Sequence, residues 1–151
     1  MRGWDSKCKH PLHGMYSLIF IGSAQTRNEW LEVPGRIERT DETPHVIPLD
    51  SKLVGWTFTN KFNGRDAQVE LYRAANNVEL SQGNLIYSYS FDNIRTGVFP
   101  ADVDLAAGDK IGVYMRDQGG DPNDMILTMY FVPSKFTWQL LTNNLAQDFS
   151  V

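Results

Sequence analysis

The chain has 151 residues and is poor in the features that mark export, membrane insertion or disulfide stabilisation. Cys8 is its only cysteine, so no internal disulfide can form, which fits synthesis in a reducing compartment. The longest apolar run near the start, Leu18–Ile21, is too short to cross a bilayer or to serve as the core of a signal peptide. We therefore expect synthesis in a host cytoplasm and no membrane partner.

A strong excess of charge is also missing. The sequence has 14 Lys and Arg against 18 Asp and Glu, a formal net charge of -4. This balance offers no broad attraction to phosphate, so we expect no nucleic acid partner. A hydrophobic share of 42% excludes wholesale disorder and leaves a single globular domain of ordinary size.

Residue sets that perform catalysis are not recognisable. The sequence contains no G-x-S-x-G motif, and Gly119-Gly120 joins two predicted strands instead of opening a helix, as a phosphate loop would. His45 follows Pro44 and has no nucleophile motif nearby. Asp102 and Asp104 fall on one strand face. We interpret them as solvent-facing side chains of an edge strand and not as a catalytic acid and base. We expect no enzymatic activity and no cofactor.

Two groups of residues in the sequence have side chains of the types that bind metals. The first, near the start of the chain, has a spacing that matches no standard zinc site and lacks a fourth ligand. The second lies in DQGGDPND and lacks the alternating acids and the closing Glu of a calcium loop, while its composition is typical of turns. We expect no metal at either group. Their members are Cys8, His10 and His13, and Asp117, Asp121 and Asp124.

What the sequence does contain is a series of about nine strand-like runs, with the spacing of roughly 8 to 12 residues that is typical of a β-sandwich or barrel. In the fourth run, Val54, Trp56 and Phe58 are expected on one face, and Asn63-Gly64 predicts a tight hairpin to the fifth. The sixth run presents Tyr87, Tyr89 and Phe91, either as a sugar-binding strip or, as we favour, as core or subunit contact. The runs are 15–21, 27–33, 45–49, 52–60, 66–72, 85–91, 96–105, 111–115 and 125–132.

The last two runs are apolar on both faces. One face carries Ile111, Val113 and Met115, then Met125, Leu127, Met129 and Phe131; the other carries Tyr114, then Ile126, Tyr130 and Val132. A strand with one solvated face would alternate apolar and polar residues. We therefore expect a second sheet to cover one face and another subunit to cover the other.

The two ends of the chain differ from this middle part. Met1–Gly14 has no periodicity and is predicted to be an arm, followed by a sandwich over 15–133 and a tail over 134–151. Phe136, Leu140 and Leu141 fit helical spacing, but the tail is equally compatible with an extended segment across a neighbour. It is more apolar than a free terminus should be, so we expect it to pack on a neighbour.

The order of these runs resembles the small jelly-roll virion proteins of tailed bacteriophages, which occur as capsid cement or decoration proteins and as fibre heads. The resemblance covers about Thr43–Phe131 and is carried by TPHVIPLDSKLVGWTFTN, DAQVELYR, LIYSYSFDN and LAAGDKIGVYMRDQGGDPNDMILTMYF. Its most specific part is Ala107–Tyr114, where Gly-Asp turns tightly into a buried strand. The trimeric jelly rolls of the complement globular head and of tumour necrosis factor are more remotely similar.

The resemblance implies an all-β jelly-roll sandwich that forms a homotrimer and sits on the capsid surface of a virion, bound to the phage major capsid protein as a cement or decoration protein. The alternative is a fibre-head or receptor-binding module that recognises a host surface glycan; a glycan-active enzyme is a third class. The residues expected at the oligomer or capsid interface are Tyr114, Ile126, Tyr130, Val132, Phe136, Trp138, Leu140 and Leu141.

Overall fold

A computed structural model describes residues 14–22, 28–35, 39–64, 67–92, 94–117 and 124–134, and at 62–64 and 117 it describes the backbone alone. The strands in these ranges are β1 (Tyr16–Ile21), β2 (Glu29–Trp30), β3 (His45–Val46), β4 (Ser51–Gly64), β5 (Ala67–Ala74), β6 (Asn84–Phe91), β7 (Ile94–Leu105), β8 (Lys110–Asp117) and β9 (Ile126–Pro133). Each strand-like run of the sequence overlaps one of them. A short 3₁₀ helix, Leu80–Gln82, lies between β5 and β6. Within the described ranges, no helix is long and apolar enough to span a membrane.

The strands form two antiparallel sheets. The first sheet has the order β1-β9-β4-β7, and the second has the order β2-β8-β5-β6 with β3 also paired to β8. Apart from β2–β3 and β5–β6, each strand is followed along the chain by a strand of the other sheet, so the chain repeatedly crosses the sandwich. This order is that of a jelly roll. The expected all-β jelly-roll sandwich is therefore confirmed.

The core between the sheets is rich in aromatic rings. Trp56 is fully buried and stacks on Phe99, with 4.3 Å between ring centroids. Its indole Nε1 donates a hydrogen bond of 2.8 Å to the hydroxyl of Tyr87, and Tyr89 meets the indole edge-on. Phe91 is also buried. The three aromatic residues of β6 thus pack on the core, as favoured from the sequence.

The predicted hairpin between the fourth and fifth runs is wrong. β4 pairs with β7 and β9, whereas β5 pairs with β6 and β8, so the two strands lie in different sheets. Both strands alternate apolar and polar residues. Two strands that face each other across the core satisfy this pattern as well as two strands that lie side by side in one sheet. Asn63 and Gly64 are the last two residues of β4, and Gly64 still pairs with Ile94 of β7 in the first sheet.

The expected grouping of Val54 with Trp56 and Phe58 is also wrong. The pairing of β4 shifts register between Leu53 and Gly55 on both of its neighbours. Leu53 and Trp56 are both fully buried, while Val54 is 37% exposed. An extra residue at a bulge reverses the alternation from that point on, so Val54 lies on the outer face.

The Gly-Asp turn before β8 is formed as expected. Gly108 has a φ of 88°, a left-handed conformation that favours glycine. The carboxylate of Asp109 accepts a hydrogen bond of 2.9 Å from the backbone N–H of Ala106, and Asp50 accepts one of 2.9 Å from that of Ala107. These bonds close the turn and position β8 at the centre of the second sheet.

The inner faces of β8 and β9 are buried as expected, since the exposure of Ile111, Val113, Leu127 and Met129 is 0%. Apart from Gly14 and Ser134, the predicted arm and tail lie outside the described residues. The outer faces of the two sheets are the surfaces on which a partner could bind.

Candidate functional site

The outer face of the first sheet carries three rows of four residues, one from each strand. Core residues such as Phe20, Phe58 and Phe99 alternate with them along the strands, and none of the twelve residues is buried. The rows, which we call the uncharged patch, are Ile21–Ile126–Thr59–Thr96, Ile19–Thr128–Thr57–Val98 and Ser17–Tyr130–Gly55–Pro100. No residue of these rows is ionisable at neutral pH.

Large apolar side chains stand out from this patch. Val98 is 81% exposed, Ile126 is 46% exposed and Ile19 is 41% exposed. Because apolar surface in water is unfavourable by about 25 cal/mol per Å², their exposure favours coverage by a partner.

Ion pairs flank the uncharged patch. At one end, Lys52 Nζ lies 2.8 Å from Asp102 and 3.8 Å from Asp104; at the other, Lys61 Nζ lies 3.6 Å from Asp124. The hydrogen bond to Asp102 and the charges of both carboxylates raise the pKa of Lys52. Asp102 and Asp104 are thus solvent-facing partners of a lysine, as favoured from the sequence.

A cleft lies on the same face where β9 ends. It has a volume of about 370 Å³ and is lined by Lys52, Val54, Val132, Pro133 and Ser134. We call it the Val54 cleft. Since Val54 reaches this surface only through the bulge in β4, the sequence pattern did not reveal the cleft.

The outer face of the second sheet is organised around a buried carboxylate. Glu70 is 3% exposed, and both of its oxygens accept hydrogen bonds from Arg116, at 2.6 Å from Nε and 3.0 Å from Nη2. The hydroxyl of Tyr72 donates a further bond of 2.9 Å. The fork of Arg116 matches a carboxylate in two parallel bonds, which holds the buried charge. These bonds raise the pKa of Arg116, and burial raises that of Tyr72.

Three aromatic rings pack together beside this carboxylate. Trp30 meets Tyr72 and Tyr114 edge-on, at centroid distances of 5.0 Å and 5.4 Å. The guanidinium carbon of Arg116 lies 5.3 Å from the ring centre of Tyr114. We call Trp30, Glu70, Tyr72, Tyr114 and Arg116 the Glu70 cluster. Its polar groups bind one another, and the Trp30 ring packs the two-residue strand β2 against Tyr72 and Tyr114.

The predicted interface residues are separated by this geometry. Ile126, Tyr130 and Val132 lie on the outer face of the first sheet, whereas Tyr114 lies on the outer face of the second. One flat contact therefore cannot contain all four. Whether either face is an interface stays a prediction. The remaining predicted residues, Phe136, Trp138, Leu140 and Leu141, lie outside the described residues.

His45 has a structural environment. Its Nε2 lies 3.3 Å from the carbonyl oxygen of Ile19, and its ring meets Phe20 edge-on at 5.1 Å. Burial lowers the pKa of His45. The described part of the chain contains no group of three or more His, Cys, Asp or Glu that could hold a metal ion. Cys8, His10 and His13, and the side chains of Asp117 and Asp121, lie outside it.

The Glu70 cluster was not predicted from the sequence. The alternation of β5 correctly places Glu70 and Gln68 opposite the core, but it does not show that Glu70 is buried. The cluster depends on the pairing Glu70–Tyr114 and Gln68–Arg116 across β5 and β8. The presence of a Glu and an Arg in two strands with apolar residues was a signal in the sequence. Only the strand pairing shows that the two side chains meet.

No protein-family model matches this chain, and no curated protein does. Among solved structures, the globular domain of zebrafish complement 1qA protein is 10% identical with a TM-score of 0.46, over 80% of this chain and 96% of that one. The C-terminal CBM6 of LamC, a marine laminarinase from Zobellia galactanivorans, is 11% identical with a TM-score of 0.45, over 76% and 98%. Eiger TNF from S. frugiperda is 10% identical with a TM-score of 0.36, over 82% and 96%. These distant likenesses carry no argument about function, and the fold assignment rests on the strand order.

Proposed function

We propose that the protein is a non-enzymatic structural component of a bacteriophage particle, which assembles with copies of itself through the uncharged patch and binds the capsid surface as a cement or decoration protein. The observation that carries this proposal is the composition of the patch. Its rows contain no charge, and three of its aliphatic side chains are 41–81% exposed. A sheet face that stays in water normally carries charged or strongly polar side chains.

The arrangement of the patch is that of an interface. Protein interfaces have a core depleted in charge and a polar rim. Here the uncharged rows form the centre, and the ion pairs Lys52–Asp102 and Lys61–Asp124 form the two ends. Tyr130, a residue type enriched in such cores, lies in one of the rows. A homotrimer is the assembly that the resemblance to phage jelly rolls implies.

A cement protein needs no catalytic group. Its contribution is the burial of surface, about 25 cal/mol per Å² of apolar area, repeated at every site of the capsid lattice. A standard contact buries roughly 800 Å² on each partner. Repetition over a shell turns a modest individual contact into substantial resistance to the pressure of packaged DNA. The major capsid protein is the partner that this role requires.

The alternative is a fibre head or receptor-binding module that recognises host surface glycan. The observation that favours it is the Glu70 cluster, because aromatic rings beside charged hydrogen-bonding groups are what sugar-binding sites use. In this cluster, however, both oxygens of Glu70 are already bound by Arg116 and Tyr72. A ligand would find these groups occupied, so we favour the structural role.

Immunogold electron microscopy of intact particles tests the proposal. An antibody raised against the purified protein should label heads, with particles from a deletion mutant as the control. Label confined to the tail or its fibres would support the alternative. If wild-type particles do not contain the protein, both proposed functions are contradicted.

A further inference from the structure

We propose that the Val54 cleft binds the side chain of Trp138 from the C-terminal segment 135–151 of a neighbouring copy. The inference rests on the proposed function for the existence of that neighbour, and it adds the identity of the occupant.

The lining of the cleft sets the chemistry of the occupant. Val54, Val132 and Pro133 contribute apolar surface, and Val54 is 37% exposed. The ammonium group of Lys52 is engaged by Asp102 at 2.8 Å, so this residue contributes mainly its methylene stem. The volume of about 370 Å³ is sufficient for a large side chain. An apolar or aromatic group is the occupant that such a lining favours.

The C-terminal segment begins at the wall of this cleft. Pro133 pairs with Ser51, and the backbone N–H of Ser134 donates a hydrogen bond of 2.7 Å to the carbonyl of Asp50. The chain is therefore held beside β4 up to Ser134, where the backbone bends. Four extended residues span about 14 Å, so Trp138 can pass well beyond its own protomer. This reach is sufficient for insertion into the cleft of an adjacent copy, and insertion into the cleft of the same chain is the competing outcome.

The composition of the segment matches the face. It contains one Lys and one Asp, and its large apolar residues are Phe136, Trp138, Leu140, Leu141, Leu145 and Phe149. An almost neutral, apolar segment is complementary to a face whose central rows carry no charge.

The uncharged patch alone is smaller than a stable protein contact, so a second surface is needed to complete the contact. The four strands of the first sheet, about 4.8 Å apart, and six residues of about 3.4 Å each give an area of about 400 Å². A stable contact needs roughly 800 Å² on each partner. The patch supplies about half of this, and the cleft with an inserted segment extends the contact in the direction of β9.

Disulfide trapping between two distinguishable chains tests the inference. In a Cys8→Ser background, a chain with Val54→Cys is co-expressed with a differently tagged chain with Trp138→Cys, and the product is oxidised. We expect a reducible species that contains both tags. The matched control replaces Val54→Cys by Ser88→Cys on the exposed outer face of β6, and it should give less than one tenth of that yield. A chain with Phe136→Cys is tested in parallel, since a neighbouring position should trap with lower efficiency.

The outcomes are distinguishable from failure of the proposed function. If sedimentation shows the oligomer but neither cysteine pair forms between chains, the inference is overturned and self-assembly stands. If one chain carrying both Val54→Cys and Trp138→Cys forms only an internal disulfide, the segment binds its own protomer and the inference is again overturned. Independently, Val54→Lys should weaken association at least tenfold, with no change for Ser88→Lys. A monomer in every sample would contradict the inference and the proposed self-assembly together.

Discussion

The outer faces of the two sheets differ in how their side chains are satisfied. On the second sheet, Glu70, Tyr72 and Arg116 bind one another, and Trp30 packs against Tyr72. On the first sheet, the rows of the uncharged patch have no such internal network, and Val98 is 81% exposed. The same alternation of strand residues thus produces one face that is complete within the protomer and one that gains by contact with another molecule.

This difference shows which face is available for binding. A ligand on the Glu70 cluster would compete with hydrogen bonds that hold a nearly buried carboxylate, and breaking them leaves an uncompensated charge. A partner on the uncharged patch displaces only water from uncharged side chains. The number of aromatic residues alone would have favoured the opposite choice, because the Glu70 cluster contains three rings.

The largest effect is expected from Tyr130→Asp on the uncharged patch. Burying an unpaired carboxylate costs several kcal/mol, so association should weaken about 100-fold or more. Ser90→Asp on the exposed outer face of β6, opposite Gln68, is the matched control and should leave association unchanged. Sedimentation velocity measures the oligomer, and thermal unfolding by circular dichroism checks that both variants fold. Assembly of the Tyr130→Asp protein at wild-type affinity would show that this face is not the interface.

The second effect is a loss of protomer stability from Arg116→Leu. The substitution removes two charge-assisted hydrogen bonds from buried Glu70, which are worth about 1.5–3 kcal/mol. The side chain of Arg116 is 46% exposed, so water limits the loss to the lower part of that range. Urea denaturation at neutral pH measures it.

The double variant Glu70→Leu/Arg116→Leu is the control for this prediction. It removes both charges, so it should recover most of the stability that Arg116→Leu loses. Equal losses in the single and double variants would mean that the pair contributes by packing and not by compensating the buried charge.

A third effect concerns the attachment of β2. Trp30 makes two edge-on aromatic contacts, each worth about 0.5–1.5 kcal/mol beyond area burial. Trp30→Ala should therefore lower the free energy of unfolding by about 1–2 kcal/mol, and Trp30→Phe by about half as much. Hydrogen exchange should increase first at Leu31, whose N–H donates to the carbonyl of Val113. Unchanged exchange at Leu31 would show that the ring does not hold this strand.

The sequence was sufficient for the strands but not for their partners. The alternation of apolar residues identified the inner faces of β8 and β9, and Gly108-Asp109 identified the turn between β7 and β8. The false hairpin after Asn63-Gly64 arose because alternation determines which face is buried without determining which strand lies alongside. Val54 was assigned to the wrong strand face because no residue type in the sequence indicates the bulge. The Glu70 cluster depends on the register between β5 and β8, so alternation alone could not predict it either.

The smallest effect is expected from pH. It concerns the stability of the protomer and not binding at the outer face of either sheet. His45 lies in β3, which belongs to the second sheet, and its Nε2 lies 3.3 Å from the carbonyl oxygen of Ile19 in the first. Burial lowers its pKa below the ordinary value of 6.5, so between the two pKa values the unfolded chain binds a proton that the folded chain does not. Stability should therefore be complete above about pH 7 and decline as the pH falls below 6.5 towards the folded pKa. His45→Gln retains an amide donor for Ile19 and has no group that titrates in this range. The melting temperatures of both proteins, compared between about pH 7.5 and about pH 5.5, should fall more for the wild type. Parallel curves would show that carboxylates, and not His45, determine the acid sensitivity of the sandwich.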